Sequence, residues 1–364
     1  MTVYYVDAGR PNDTGDGLSI STAKKTWSAV EALPIAQNSL VNIKPGIYRE
    51  TLTLGVAGSA GNTIEYRGDP YGLVFGTPGV VRLTGSDNDQ TATRSSCITA
   101  GSGKNYRIFQ NIALDMVSGN LIDVTAATNW IIASMFLSAS ASKGISLYGA
   151  CTTPLIRDCF FTGLKASPIY LTGASAVDNT AAIIQRCLID GSAGGQPGIG
   201  IDYWGGVSIK DTMILNSYTG VRCVHSPSGG QVNNVNNCVI SGCAEGIKGI
   251  LSTDITDDYN SVSYCTTPYT VIVAGAHSNA YPPLFDSRWF WNLRLAGAGP
   301  NNVAQVVSPF DLSSYSPLLN LAGSGARATD MRGTAVQGAQ LEWGALEYDA
   351  SLSTMGRPAK VIGG

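Results

Sequence analysis

The sequence predicts an all-β solenoid, a parallel β-helix, and three observations predict it. Charged residues make up only 13% of the 364-residue chain while hydrophobic residues reach 44%, against a charged share of roughly 25% in an average soluble domain. Glycine is abundant, at 43 residues, yet follows no three-residue period, and blocks of helix-forming Ala, Glu, Lys and Leu are scarce. Two short phrases then recur through the middle of the chain at one shared spacing, which is how repeat architectures announce themselves.

The first phrase has the form Ile-x-x-(Asn/Cys)-x-(Ile/Phe/Leu). It starts at Ile108, Ile132, Ile156, Ile184, Ile209, Val235 and, degraded, Ile255, with steps of 24, 24, 28, 25, 26 and 20 residues. The second phrase follows each first one, as GNLIDV, KGISLYG, SPIYLTG, PGIGIDY, TGVRCVH, EGIKGIL and TPYTVIV. Each unit holds two or three runs of alternating apolar and polar residues bounded by Gly, Asn, Ser or Pro, and none has room for a crossover helix. Such a chain has to coil, stacking its units about 4.8 Å apart into parallel sheets.

The other elements follow from this frame. The open mouth of the first coil needs a cover, and a short capping helix is expected over 28–33. There, Ser28 and Glu31 have capping-box spacing, Trp27, Val30 and Leu33 recur every three residues, and Pro34 stops the helix. Early strands are expected at 41–43, 51–54, 63–66 and 80–83. Residues 1–40 thus read as an N-terminal cap and 41–280 as the β-helix. From 281 to 364 the repeat is lost, and the run YPPLFDSRWFWN reads as an irregular C-terminal cap or appendage. Its Trp289, Phe290 and Trp291 suit a sugar platform, an interface anchor or packing beneath the cap. Within the coils, a ladder of Asn111, Met135, Cys159, Cys187, Thr212 and Cys238 is expected to stack inward near a turn.

Composition also excludes partners. A net charge of -3 with scattered Lys and Arg removes the basic footprint of a nucleic-acid binder. No apolar run approaches the roughly 18 residues of a membrane span. The eight cysteines form no CxxC and are joined by only two histidines, so zinc is not expected and the thiols read as reduced core residues.

The opening YYVDAGRPNDTGDGLSISTAKKTWSAVEAL, with VNIKPGIYRETL and GNTIEYRGDPYG, resembles the start of bacterial and phage β-helix repeat proteins of the pectate-lyase-like superfamily. The close, SPLLNLAGSGARATDMRG followed by EWGALEYD, is similar to the tail of family members that end in an Asp-Ile-Gly-Ala-Tyr-Glu-like phrase. The resemblance covers most of the chain and implies a right-handed parallel β-helix. It does not choose an activity, because members include lyases, hydrolases, epimerases, adhesins and non-catalytic phage spikes.

Chemistry is therefore sought on the outside of the coil. Alternation in the second phrase sends Ile145, Leu147, Ile169, Leu171, Ile199, Ile201, Val221, Cys223 and Ile247 inward. One outward row then reads Ser146, Tyr170, Gly200, Arg222, Lys248 and Thr270, and the next Tyr148, Thr172, Asp202, Val224, Ile250 and Ile272. The aromatic and charged members suit sugar, since rings stack on C–H faces and charges bind hydroxyls or uronate carboxylates. The carbohydrate-binding candidates are Tyr148, Tyr170, Tyr203, Trp204, Arg222, His225 and Lys248; the bland alternative is a solvated sheet face. A β-eliminating lyase needs a base of lowered pKa, for which Arg222, Lys248 and Asp202 are the candidates. A hydrolase needs paired carboxylates. The one dense cluster, Asp254, Asp257 and Asp258, lacks the accompanying Asn-Thr-Asp, Gly-His-Gly and Arg-Ile-Lys phrases of polygalacturonases and reads as turn residues.

No cofactor is expected. Calcium at Asp7, Asp13 and Asp16 is weighed against the plain turn chemistry of Asn, Asp and Gly. With no catalytic constellation legible, the expected function is a non-catalytic structural or adhesive β-helix, a phage virion spike, fibre or decoration protein that binds surface polysaccharide. The alternative is a polysaccharide-degrading enzyme, a lyase before a glycoside hydrolase. The resemblance implies a homotrimer, with other virion proteins or bacterial surface polysaccharide as partners. No basic and apolar leader follows Met1, so a virion location is expected, or an extracellular one if a leader has been removed. Val224, Ile250 and Ile272 form an outward apolar row that the tail from 281 or a second subunit is expected to cover.

Overall fold

The structure is a computed structural model and describes residues 1–173, 181–192, 195–225 and 231–280. The chain winds as a right-handed parallel β-solenoid of about nine turns with almost no helix. A ten-stranded first sheet opens with β1 (Thr2–Val6) and β2 (Ser39–Ile43) and closes with β26 (Ile255–Asp258). Two nine-stranded sheets complete each coil: the second runs from β3 (Gly46–Tyr48) to β27 (Ser261–Ser263), the third from β4 (Leu52–Thr53) to β28 (Thr267–Thr270). Because β1 pairs in register with β2, residues 1–40 supply the first strand as well as the cap.

Inward columns form the core. Ile132, Ile156, Ile184, Ile209 and Val235 stack on successive coils of the first sheet and are all essentially solvent-free. In the preceding coil Phe109, not Ile108, occupies this column. All nine residues expected to point inward on the third sheet do so. From the strand Arg107–Gln110 onward, each turn from first to second sheet is made by one left-handed residue: Asn111, Ser134, Asp158, Arg186, Asp211, Asn237 or Tyr259, with φ between 49° and 60°. Asn and Asp tolerate that region best, which accounts for their recurrence in the first phrase.

The left-handed residue breaks the two-residue alternation and turns its successor inward. The buried ladder near the turn is therefore Ile112, Met135, Cys159, Cys187, Thr212, Cys238 and Asn260. Asn111 is the turn residue itself, a correction to the expected ladder. Asn260 does what an amide there should: it accepts from the Cys238 N–H at 2.8 Å and donates to the Val235 carbonyl at 2.7 Å. All eight cysteines are free and seven are buried.

Helix α1 spans Trp27–Glu31 and is capped by Thr26, whose hydroxyl accepts from Ala29 N–H at 3.2 Å. Ser28 instead donates to Glu50 at 2.5 Å, and Glu31 pairs with Arg107 at 2.8 Å and accepts from the Tyr66 hydroxyl. The expected capping box is thus replaced by ties from the helix into the solenoid. Trp27 begins an aromatic ladder through Tyr66, Phe109 and Trp130, with ring centroids 5.9, 5.2 and 5.5 Å apart. The helix plugs the N-terminal mouth by stacking on the core.

Candidate functional site

The outward row read from the sequence is reproduced pair by pair on the third sheet: Ser146, Tyr170, Gly200, Arg222, Lys248 and Thr270 neighbour one another on successive coils. The row continues upward through Asp123 and Thr99, an extension that alternation in GNLIDV already carried. Tyr170 leans across the next coil, made possible by Gly200. A β-carbon there would sit 2.5 Å from Cδ2 of the ring. Lying this way, the Tyr170 hydroxyl donates to Asp202 Oδ2 at 3.3 Å.

Asp202 ends β19 (Pro197–Asp202) and its other oxygen meets His225 Nδ1 at 2.5 Å. The His225 ring stacks on Tyr203, centroids 4.0 Å apart and nearly parallel. Above Tyr170, the Lys143 ammonium lies 4.0 Å from the ring centroid. Lys143 sits in the turn before β13 (Ile145–Tyr148), outside any alternating run, so no sequence signal marked it. The result is one continuous strip across adjacent coils: Lys143, Tyr170, Asp202, His225, Tyr203.

Burial shapes its electrostatics. The Lys143 amine is pulled below the usual lysine range by desolvation, opposed by the charges of Asp123 and Asp202. The Tyr170 phenol is pushed up by desolvation and by Asp202, so it stays protonated. Farther down, Lys248 is paired with Glu245 at 2.7 Å. The Glu245 carboxyl is held low: burial acts against this, but Lys248 and the Thr219 hydroxyl outweigh it. Among the described residues Arg222 has no ion-pair partner, and its Nε is shut off from water without a hydrogen bond.

Of the remaining candidates, Tyr148 stands half exposed at the edge of the strip. Trp204 is 0% exposed and cannot meet a sugar; Tyr203 is left-handed (φ 54°) and throws the following side chain into the core. The same event removes Ile272 from its expected outward row. Val271 is left-handed (φ 70°), and Ile272 packs into the core at 6% exposure while Ile250 stays out at 45%. The expected cover from 281 onward, and Trp289, Phe290 and Trp291, lie outside the described residues.

The calcium candidates are committed elsewhere. Asp7 accepts from Gly9 N–H and pairs with Lys44 at 2.8 Å. Asp13 accepts from Lys25 and Thr26 N–H, and Asp16 from Leu18 N–H and the Thr22 hydroxyl. All three carboxylates thus accept hydrogen bonds within the N-terminal turns. Among the described residues no three acidic, His or Cys side chains converge as metal ligands. Asp254 accepts from Ile250 and Leu251 N–H, Asp257 from Asn260 and Gly275, and Asp258 faces His277, all as ties of the last turns.

No family model and no curated protein sequence matches the chain. Solved structures do. XylC in complex with xylose aligns at 11% identity and a TM-score of 0.52, over 74% of this chain and 66% of that one. A rhamnogalacturonan lyase aligns at 12% identity and a TM-score of 0.50, over 77% and 88%. Pectate lyase Pel9A aligns at 14% identity and a TM-score of 0.47, over 95% and 96%. At these identities the likeness is one of fold, and the first two alignments, with the sheet order and winding described above, identify the chain as a right-handed parallel β-helix.

Proposed function

We propose that the third sheet's outer face binds an acidic polysaccharide, with Tyr170 as the stacking surface and Arg222 as the carboxylate receptor. The observation that carries this reading is the Arg222 guanidinium, which has no carboxylate partner among the described residues although Lys248 beside it has one. Its Nε is buried without a hydrogen bond, which is costly, and a uronate carboxylate matches a guanidinium fork. We infer as its setting an adhesive role in a virion, as a homotrimeric spike, fibre or decoration protein, because the family that the sequence resembles includes non-catalytic phage spikes. Titration calorimetry with polygalacturonate and alginate oligosaccharides tests the binding reading. Binding that weakens at least tenfold in Arg222→Ala is expected; no binding to either, or equal binding by the variant, overturns it.

A second reading is favoured by Lys143 and Tyr170 together. The Lys143 nitrogen, its pKa depressed by burial, lies 4.0 Å from the centre of the Tyr170 ring, whose phenol is pushed up by desolvation and by Asp202. In a uronate chain held on Arg222, Lys143, once it has released its proton, would take the proton from the carbon α to the carboxylate. The C–O bond at the β carbon would break to form a C=C bond, and Tyr170 would give its proton to the leaving oxygen. Ultraviolet absorbance of the unsaturated product, absent in Lys143→Met, distinguishes turnover from binding alone.

A further inference from the structure

Four of the eight cysteines stand in two register pairs. Leu188 N–H donates to the Cys159 carbonyl at 2.9 Å, which makes Cys187 the parallel partner of Cys159 on the next coil. Thr266 N–H donates to the Cys243 carbonyl at 3.2 Å, and by the same pattern Cys265 is the partner of Cys243. The strands before them fix that register: β24 (Val239–Ser241) pairs with β27, Ser241 opposite Ser263. Gly242 and Tyr264 then both take a left-handed φ, of 70° and 51°, so the two coils turn together and the cysteines after them stay stacked. All four thiols are unbridged.

Partners on adjacent coils lie about 4.8 Å apart, and a disulfide joins Cα atoms roughly 4.4–6.8 Å apart. Cys265 also leans toward its partner's coil. Its Sγ lies 4.0 Å from the Ile240 carbonyl oxygen, while Cys243 Sγ lies 3.7 Å from that of Ser241, the next residue. The two thiols hydrogen-bond to each other, which pulls Cys265 below the ordinary thiol range against the effect of burial and pushes Cys243 up. The thiolate is the attacking form, so Cys265 is the sulfur that reacts first. The other pair differs: the Cys159 thiol is pushed well up by burial, and Cys159 and Cys187 are both 0% exposed, whereas Cys265 is only partly buried.

We propose that Cys243 and Cys265 are a disulfide site, closed by a low-molecular-weight disulfide such as oxidised glutathione, that staples the last described coil to the one before it. The Cys265 thiolate attacks one sulfur of the reagent; that S–S bond breaks, and the released thiolate takes up the proton that Cys265 gave to water. Cys243 then gives up its proton and attacks Sγ of Cys265. The protein S–S bond forms and the second glutathione thiolate leaves, taking that proton. The protein has lost two hydrogens and two electrons, and one reagent molecule has become two thiols. Strands β25 (Glu245–Lys248) and β28 each begin two residues after one of the cysteines. The staple therefore pins together the strands that carry Lys248 and Thr270, the last rungs of the outward row.

To test this, the full chain is reduced, freed of reductant, incubated with oxidised glutathione, alkylated in denaturant and cut with trypsin, whose cleavage after Lys248 separates the two cysteines. Mass spectrometry is expected to find Cys243 joined to Cys265 and no bridge between Cys159 and Cys187. The melting temperature should rise by about 5 °C and return on adding dithiothreitol. Cys243→Ser should stop the reaction halfway, with glutathione held on Cys265. An unbridged chain, a bridge between other cysteines, a bridge that leaves the melting temperature unmoved, or a folded Cys243→Ser variant without glutathione on Cys265 overturns the proposal. Should Cys243→Ser fail to fold by circular dichroism, Cys243→Ala carries the same decision.

Discussion

Replacing Gly200 with alanine would place a methyl group 2.5 Å from Cδ2 and 2.8 Å from Cε2 of Tyr170. Ordinary carbon contacts begin at about 3.5 Å, so the ring has to retreat by roughly 1 Å. Gly200 does not require a left-handed φ, so the backbone is not strained, and the perturbation falls on the ring with minor crowding from Pro197. Retreat breaks the 3.3 Å bond to Asp202, which is already long. It also lifts the ring from Lys143. A hydrogen bond to a charged acceptor, discounted for length and partial exposure, is worth about 1 kcal/mol. An exposed cation–π contact adds about 0.5–1 kcal/mol. The expected loss is therefore roughly 1–2 kcal/mol, a five- to thirtyfold weaker glycan affinity. Titration calorimetry measures it, with melting temperature as the control for folding. A double-mutant cycle with Tyr170→Ala isolates the ring: Gly200→Ala should have little effect once the ring is gone. Equal losses in both backgrounds would refute the claim that Gly200 acts by seating Tyr170.

Ile184→Asp should abolish folding, because it buries an unpaired carboxylate in the middle of the first sheet's column; a soluble, protease-resistant variant would show the register to be wrong. The thiols of Cys159, Cys187 and Cys238 should resist thiol-specific reagents and the melting temperature should not respond to reductant, since all three are unbridged and buried; rapid labelling of these three without denaturant would count against the buried ladder. Glu31→Ala should cost about 3–5 kcal/mol in denaturant unfolding, because it strands a fully buried Arg107; a loss within experimental error would mean the plug is not anchored there. Asp258 is held below the usual carboxylate range: burial acts against this, but the His277 side chain and the backbone N–H groups of His277 and Tyr259 outweigh it. Its folded pKa lies below its unfolded one, so its contribution is present above the unfolded value and fades as pH falls toward the folded value. His277→Gln should make the acid limb of the stability curve shallower, and identical limbs would exclude the pair.

Period-two alternation belongs to a single strand, and the repeat spacing belongs to the chain, so the solenoid, its inward columns and the row from Ser146 to Thr270 are all legible in the sequence. The errors over which way a side chain faces share one physical cause. A left-handed residue at a turn resets which way the next side chain points, and Ile112, Trp204 and Ile272 all follow one. Asn111 advertises that conformation chemically, but Tyr203 and Val271 do not, because ring and β-branched side chains ordinarily avoid it. The site needed more still. Tyr170 reaches Asp202 only because a glycine lies beneath its ring on the next coil, and Lys143 enters from a turn with no periodicity. Both facts depend on which residues the winding stacks together, and stacking is settled by the packing of whole coils. Local pattern specifies the coil and the faces of its strands; which side chains from different coils meet is set by the winding, because contact between residues 20 to 60 positions apart is a property of the closed solenoid and not of any local pattern.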